Sequence, residues 1–104
     1  MTHRETKATA IPDAVKRAVW ERDGQLCIFC GRRGFPNAHI VRRSQGGLGI
    51  EENIVTACVL CHRAMDEGRE RIKYQRHAET YMKARYPGWD RKKLTYTKYY
   101  QELR

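Results

Sequence analysis

Cys27-Ile28-Phe29-Cys30 and Cys58-Val59-Leu60-Cys61-His62-Arg63-Ala64-Met65-Asp66 are the two stretches that decide how this chain folds. Each C-x-x-C presents two thiolates from one tight turn, and the 27 residues between Cys30 and Cys58 suffice to fold a hairpin back between the two knuckles. Four sulfurs converging on one ion favour tetrahedral zinc, and a closed set of that kind is structural, because no coordination position is left for water or substrate. A redox dithiol or an iron–sulfur centre is the competing reading of the same pairs, and two disulfides a weaker one.

Working outward, the chain has 104 residues, which is one small domain with a thin core, so a metal staple is an expected supplement. A charged fraction of 32% with a mean hydropathy of −0.82 describes a soluble, strongly ionic surface. No apolar run is long enough to cross a bilayer, and the polar first residues do not form a secretory segment, so no membrane partner and a cytoplasmic location are expected. Unpaired cysteines fit a reducing compartment. The net charge of +9 is uneven: residues 69–104 carry eleven basic against four acidic side chains, whereas residues 1–68 carry ten against eight. A basic final third beside a near-neutral metal module points to a polyanion, nucleic acid foremost, with a merely solvated basic surface as the alternative.

Residues 1–10 lack periodicity and read as a flexible arm. A module over 11–68 and a basic helical extension over 69–104, packed on or next to it, complete the expected organisation. Ile11-Pro12-Asp13 reads as a helix entry, with Val15 and Val19 as the packing face and Asp23-Gly24 as the stop. Leu26–Phe29 and Ala38–Arg42 read as short strands, Gly46, Gly47 and Gly49 as a flexible loop, and Ile54-Val55-Thr56 as a further strand. Helices are expected from about Leu60 to Glu67 and from Arg69 to Arg85, the latter with Ile72, Tyr74, Ala78, Tyr81 and Met82 as its apolar side. Tyr86-Pro87-Gly88-Trp89 ends it, and an aromatic segment from Leu94 to Tyr100 follows. The fold class is therefore α+β.

Several polar residues stand out between and after the knuckles. His39, between Ala38 and Ile40, reads by itself as a packed core histidine more readily than as a catalyst. His62 and Asp66 are four apart on an expected helix, so they share a face and can reach one divalent cation through nitrogen and oxygen, a set suited to hard or borderline ions. An ordinary i, i+4 hydrogen bond is the plainer reading of that pair. Asn53 is either a turn cap or an amide that bridges two backbone segments and fixes the loop bearing His39. Arg42, Arg43 and Arg63 carry the guanidinium forks that suit phosphate, although a basic surface needs no such explanation.

His39, Asn53 and His62, in that order and set between Cys-x-x-C pairs, with Ser44-Gln45-Gly46-Gly47 after the first histidine and Glu52-Asn53 before the second pair, resemble the HNH endonucleases of the ββα-metal class. The resemblance covers residues 27–67. It implies a small zinc-stapled ββα-metal domain with flanking helices, in which His39 is the general base, Asn53 orients its loop, and His62 is a metal ligand. It also implies a catalytic divalent ion (Mg²⁺, Mn²⁺ or Ni²⁺) besides the structural Zn²⁺, with DNA as substrate. Two positions depart from the pattern. Ala38 stands where the family has a second metal ligand, for which Asp66 is the expected compensation, and Arg42 stands where proline is common. Tyr86-Pro87-Gly88-Trp89 and the segment after it resemble, more loosely, the tail of small phage-encoded members, which implies packaging or recombination proteins as partners and a host-cell cytoplasm. The expected activity is DNA cleavage or nicking that leaves 5′-phosphate and 3′-hydroxyl ends. A zinc-stapled nucleic-acid-binding module with weak or lost catalysis is the alternative, and a protein-interaction zinc domain a third reading, opposed by the basic tail.

Overall fold

Two antiparallel strands and the helix after them form the centre, built where the knuckles bring the chain back on itself. The computed structural model describes residues 3–97. Helix α1 (His3–Thr9) and helix α2 (Asp13–Arg22) precede strand β1 (Phe35–His39), strand β2 (Ile54–Ala57), helix α3 (Val59–Glu67) and helix α4 (Arg71–Arg85). Short 3-10 turns occupy Arg43–Gln45, Glu51–Asn53 and Arg91–Leu94. The architecture is α+β, and no helix among the described residues is long and apolar enough to cross a membrane.

Strand β1 pairs with β2 so that His39 faces Ile54, Ala38 faces Val55 and Phe35 faces Ala57, with an irregularity between Phe35 and Ala38. All of β2 is buried, whereas β1 begins exposed at Phe35 and is buried by Ala38. The core joins Ala38, Ile40, Val55 and Ala57 of the hairpin to Met65 of α3, Ala78 and Met82 of α4, and the cysteines Cys27 and Cys61. Pro12, with φ of −63°, caps α2 ahead of Asp13, whose charge sits at the positive end of the helix dipole, and Val19 is the residue of α2 that is fully buried.

A polar hub that the sequence pattern does not reveal ties α2 to its neighbours. Arg22 donates to the carbonyls of Glu51 (2.8 Å) and Ile54 (2.7 Å) and to the Tyr86 hydroxyl (3.1 Å), and pairs with Asp23 at 2.8 Å. Asp23 in turn accepts the Thr56 N–H (2.8 Å) and the Tyr81 hydroxyl (2.6 Å). Its side chain is fully shielded from solvent, and although burial opposes ionisation, these donors hold its carboxyl below the usual range.

Several expectations need correction. Residues read as an arm form α1, whose Thr9 is buried and whose Ala8 carbonyl accepts the Gly49 N–H at 3.0 Å. Leu26–Phe29 is not a strand but a knuckle carrying one isolated bridge, Leu26 to Arg33, and the β1 strand ends at His39 rather than running to Arg42. The glycine-rich segment is packed instead of loose. A Cβ on Gly47 would overlap the Val41 carbonyl, and one on Gly49 would overlap the Ala10 carbonyl, so glycine is required by close backbone approach at both. Ile72 is exposed, and Gln75 takes its place on the buried side of α4, bonding the Met65 carbonyl at 3.1 Å. The chain after α4 folds back: Trp89 donates to the Glu52 carbonyl (2.7 Å) and Tyr96 N–H to Gly46 (2.7 Å). Tyr99 and Tyr100, expected in an aromatic end, lie outside the described residues.

Candidate active site

Helix α3 places two sets of donors by its own periodicity. Cys58 caps its N-terminus, where its sulfur accepts the Cys61 N–H at 3.4 Å, and Cys61 is buried one turn on. Burial opposes thiolate formation at Cys58, but that N–H and the neighbouring thiols bring it down to about 7. The sulfurs of Cys27, Cys30, Cys58 and Cys61 all lie within 4.8 Å of one another. Tetrahedral zinc with bonds of about 2.3 Å holds sulfurs about 3.8 Å apart, and Cys30 and Cys58 are separated by 3.7 Å. Four free cysteines so arranged form a cluster suited to zinc.

His62 and Asp66 follow on the same helix, His62 Nε2 lying 3.5 Å from Asp66 Oδ2 with both side chains about a third exposed. The second carboxylate oxygen, Oδ1, is buried without a hydrogen-bond partner among the described residues. The pair faces a cleft of about 620 Å³ whose other walls are His39 and Asn37 of β1, Arg42, Arg43 and Ser44 of the loop after it, Ala10 and Ile11 of the link between α1 and α2, and Lys16 of α2. His39, His62, Asp66, Arg42 and Arg43 therefore share one cavity. Arg63 is exposed and lines a neighbouring depression with His62 and Asp66.

His39 sits at the end of β1 with its Nε2 2.8 Å from the Thr9 carbonyl. A carbonyl only accepts, so Nε2 carries the proton and donates it, and Nδ1 is left with its lone pair. Burial first, and the nearby Arg43 and His62, lower the His39 pKa from its ordinary 6.5 despite that bond. Arg43 is itself tied to α1, donating to Thr9 Oγ1 (3.0 Å) and to the Thr6 carbonyl (3.1 Å).

Asn53 lies behind the cleft, not in it. It is fully buried, accepts the Val41 N–H through Oδ1 (2.8 Å) and donates through Nδ2 to the carbonyls of Leu48 (2.8 Å) and Val41 (3.2 Å). Its backbone carbonyl takes the Ile40 N–H at 2.8 Å. The loop that follows His39 is thus clamped at both ends by one amide.

Residues 27–67 match the family model of the HNH endonucleases. The HNH segment contains His39, Asn53 and His62 and both cysteine pairs, and a nuclease family implies a nucleic-acid substrate. No curated protein matches the chain. Within the HNH segment, Ala38 is fully buried in the core, not on the cleft wall. Arg42 has a φ of −59°, the value a proline ring imposes, so the backbone of that position suits proline while the side chain reaches the Asp66 carbonyl at 3.3 Å.

Thr9 and Lys16 are the site residues that sequence reasoning missed. Thr9 acts on His39 through a backbone carbonyl, which any residue type could supply and which leaves no signature. Lys16 lies on the exposed side of α2, and its spacing alone gave no reason to place it beside His39.

Proposed function

We propose that this chain is a metal-dependent endonuclease that nicks or cleaves DNA by attack of a His39-activated water on phosphorus, leaving 5′-phosphate and 3′-hydroxyl ends. The observation that carries the reading is the convergence of His39, His62 and Asp66 on one arginine-walled cleft. With its proton held at Nε2 by Thr9, His39 offers Nδ1 to a water in the cleft, and its lowered pKa keeps that nitrogen unprotonated near neutral pH. Arg42 and Arg43 set positive charge where a phosphodiester would lie, and Asn53 fixes the loop that carries both.

His62 and Asp66 are the residues that would hold the divalent ion. The donor set fits: one imidazole, one carboxylate, and a buried Asp66 Oδ1 with no partner among the described residues. When bound, Mg²⁺, Mn²⁺ or Ni²⁺ supplies positive charge to the scissile phosphate and the leaving 3′ oxygen. Because Ala38 turns its methyl into the core, this chain's ligands come from α3 alone. That same observation favours a second reading, a nucleic-acid-binding module of weak or no catalysis.

Supercoiled plasmid incubated with each divalent ion separates the two. His39→Ala is expected to lower nicking by about 10²–10⁴ with DNA binding retained, and Asp66→Ala to raise the metal concentration needed for cleavage. A wild type inert with every ion favours the binding module, and an Asp66→Ala protein with an unaltered metal requirement removes Asp66 from the ligand set.

A further inference from the structure

A second cavity, of about 520 Å³, opens beside the first and is lined by Lys16, Arg17 and Trp20 of α2 and by Arg33, Phe35 and Pro36 at the start of β1. Three cations and two aromatic rings line it, and no acidic residue does. Phe35 is 58% exposed, an unusual place for a phenyl ring on so charged a surface. Lys16 lines both cavities, so the two adjoin at that side chain of α2. Strand β1 spans the same distance, with Phe35 at one end and His39 at the other. Four residues of strand cover about 13 Å, which corresponds to about four nucleotide steps of a B-form strand and fewer of an extended one.

We propose that this cavity is a stacking site for an unpaired nucleobase of the DNA strand held in the His39 cleft, with Phe35 and Trp20 as the aromatic surfaces and Lys16, Arg17 and Arg33 on the adjoining phosphates. It builds on the nuclease reading and gives it a substrate class. A π face is available to Phe35 only where a base is not sandwiched between its neighbours in a duplex, and aromatic surfaces interleaved with cations hold single strands irrespective of sequence. The favoured substrate is therefore DNA with an unpaired stretch a few nucleotides from the cut, such as a flap or branch.

The test is fluorescence anisotropy on the full zinc-loaded chain carrying His39→Ala, with a short labelled DNA strand and the blunt duplex of the same sequence. Replacing Phe35 by Leu is expected to lower the ratio of single-strand to duplex affinity about tenfold, and replacing it by Trp to preserve the ratio. In a Trp89→Phe background the remaining indole, Trp20, should be quenched by the strand and not by the duplex. Equal ratios for Phe35→Leu and Phe35→Trp would show that apolar bulk, not stacking, is what the site uses, and would overturn the proposal, as would an indole indifferent to the strand. Plasmid nicking distinguishes the two ideas: an inert wild type with the Phe35 signature intact removes the nuclease and keeps the base site, and an active nuclease with a Phe35-insensitive ratio does the reverse.

Discussion

Cys61 and His62 are neighbours on α3, yet the donor sets they join are built in opposite ways. Around Cys61, four sulfurs from two knuckles close within 4.8 Å on one point, at the edge of the hydrophobic core. Around His62, one further donor, Asp66, faces a cleft of about 620 Å³ walled by cationic side chains. A closed sulfur set can only hold the fold, because it has satisfied every position a tetrahedral ion offers. On the proposed reading, an open pair of harder donors would hold an ion weakly and leave it accessible to phosphate. On that reading one helix separates anchoring at Cys61 from chemistry at His62 by the rotation of about 100° between adjacent residues.

The contrast is broken most severely from the closed side. Chelating the metal, or Cys61→Ser, is expected to unfold the chain at room temperature. Structural zinc contributes about 10–16 kcal/mol in small metal-folded domains, against a usual domain stability of about 5–15 kcal/mol. Circular dichroism alongside metal analysis reads this out, and a metal-free chain that keeps its helical signal would overturn it. Next in size is Arg22→Ala, which strands the shielded Asp23 carboxylate and should cost about 3–5 kcal/mol in urea unfolding, showing how much of the anchoring is not metal. Asp23 has its pKa lowered on folding, so its contribution is present above the usual 3.8 and is lost as pH falls through the folded value.

The smallest effect sharpens the open side. His39 has a folded pKa below 6.5, so it remains an unprotonated base as pH falls past that point, and the acid limb of kcat/KM for nicking should lie below pH 6.5. Replacing Arg43 by Gln removes one of the charges that lower it, and the limb should move toward higher pH. A pH–rate profile of both proteins checks the direction, and a limb that moves down instead would detach Arg43 from the base.

What was legible in the sequence is what depends on local spacing. Two C-x-x-C turns, a four-residue step from His62 to Asp66, and a proline followed by aspartate at the start of α2 are geometrical statements that hold wherever the chain forms those turns. What was not legible depends on partners far along the chain. Asp23 read as the end of a helix, and nothing near it announces Thr56 or Tyr81 as its partners. Residues 3–9 read as an arm because no hydrophobic face repeats there. Their helix docks through backbone carbonyls, on Gly49 and His39, and through Arg43, contacts that leave no pattern in side-chain type. An isolated aromatic such as Phe35 looks in the sequence like any core residue, and only its exposure in the fold sets it apart.

The carbonyl that fixes the His39 proton belongs to Thr9, eighteen residues before the family match begins. A fragment excised at the boundaries of that match would keep every residue by which the family is recognised and lose the atom that selects the tautomer. Transplanting the module into another protein, or fusing a targeting domain to its front, accordingly requires carrying α1 along and leaving its approach to Gly49 unobstructed. On the proposed reading, the working boundary of this nuclease-type unit is set by a main-chain oxygen, and a designer who trims to the family match removes it without touching any side chain of the motif.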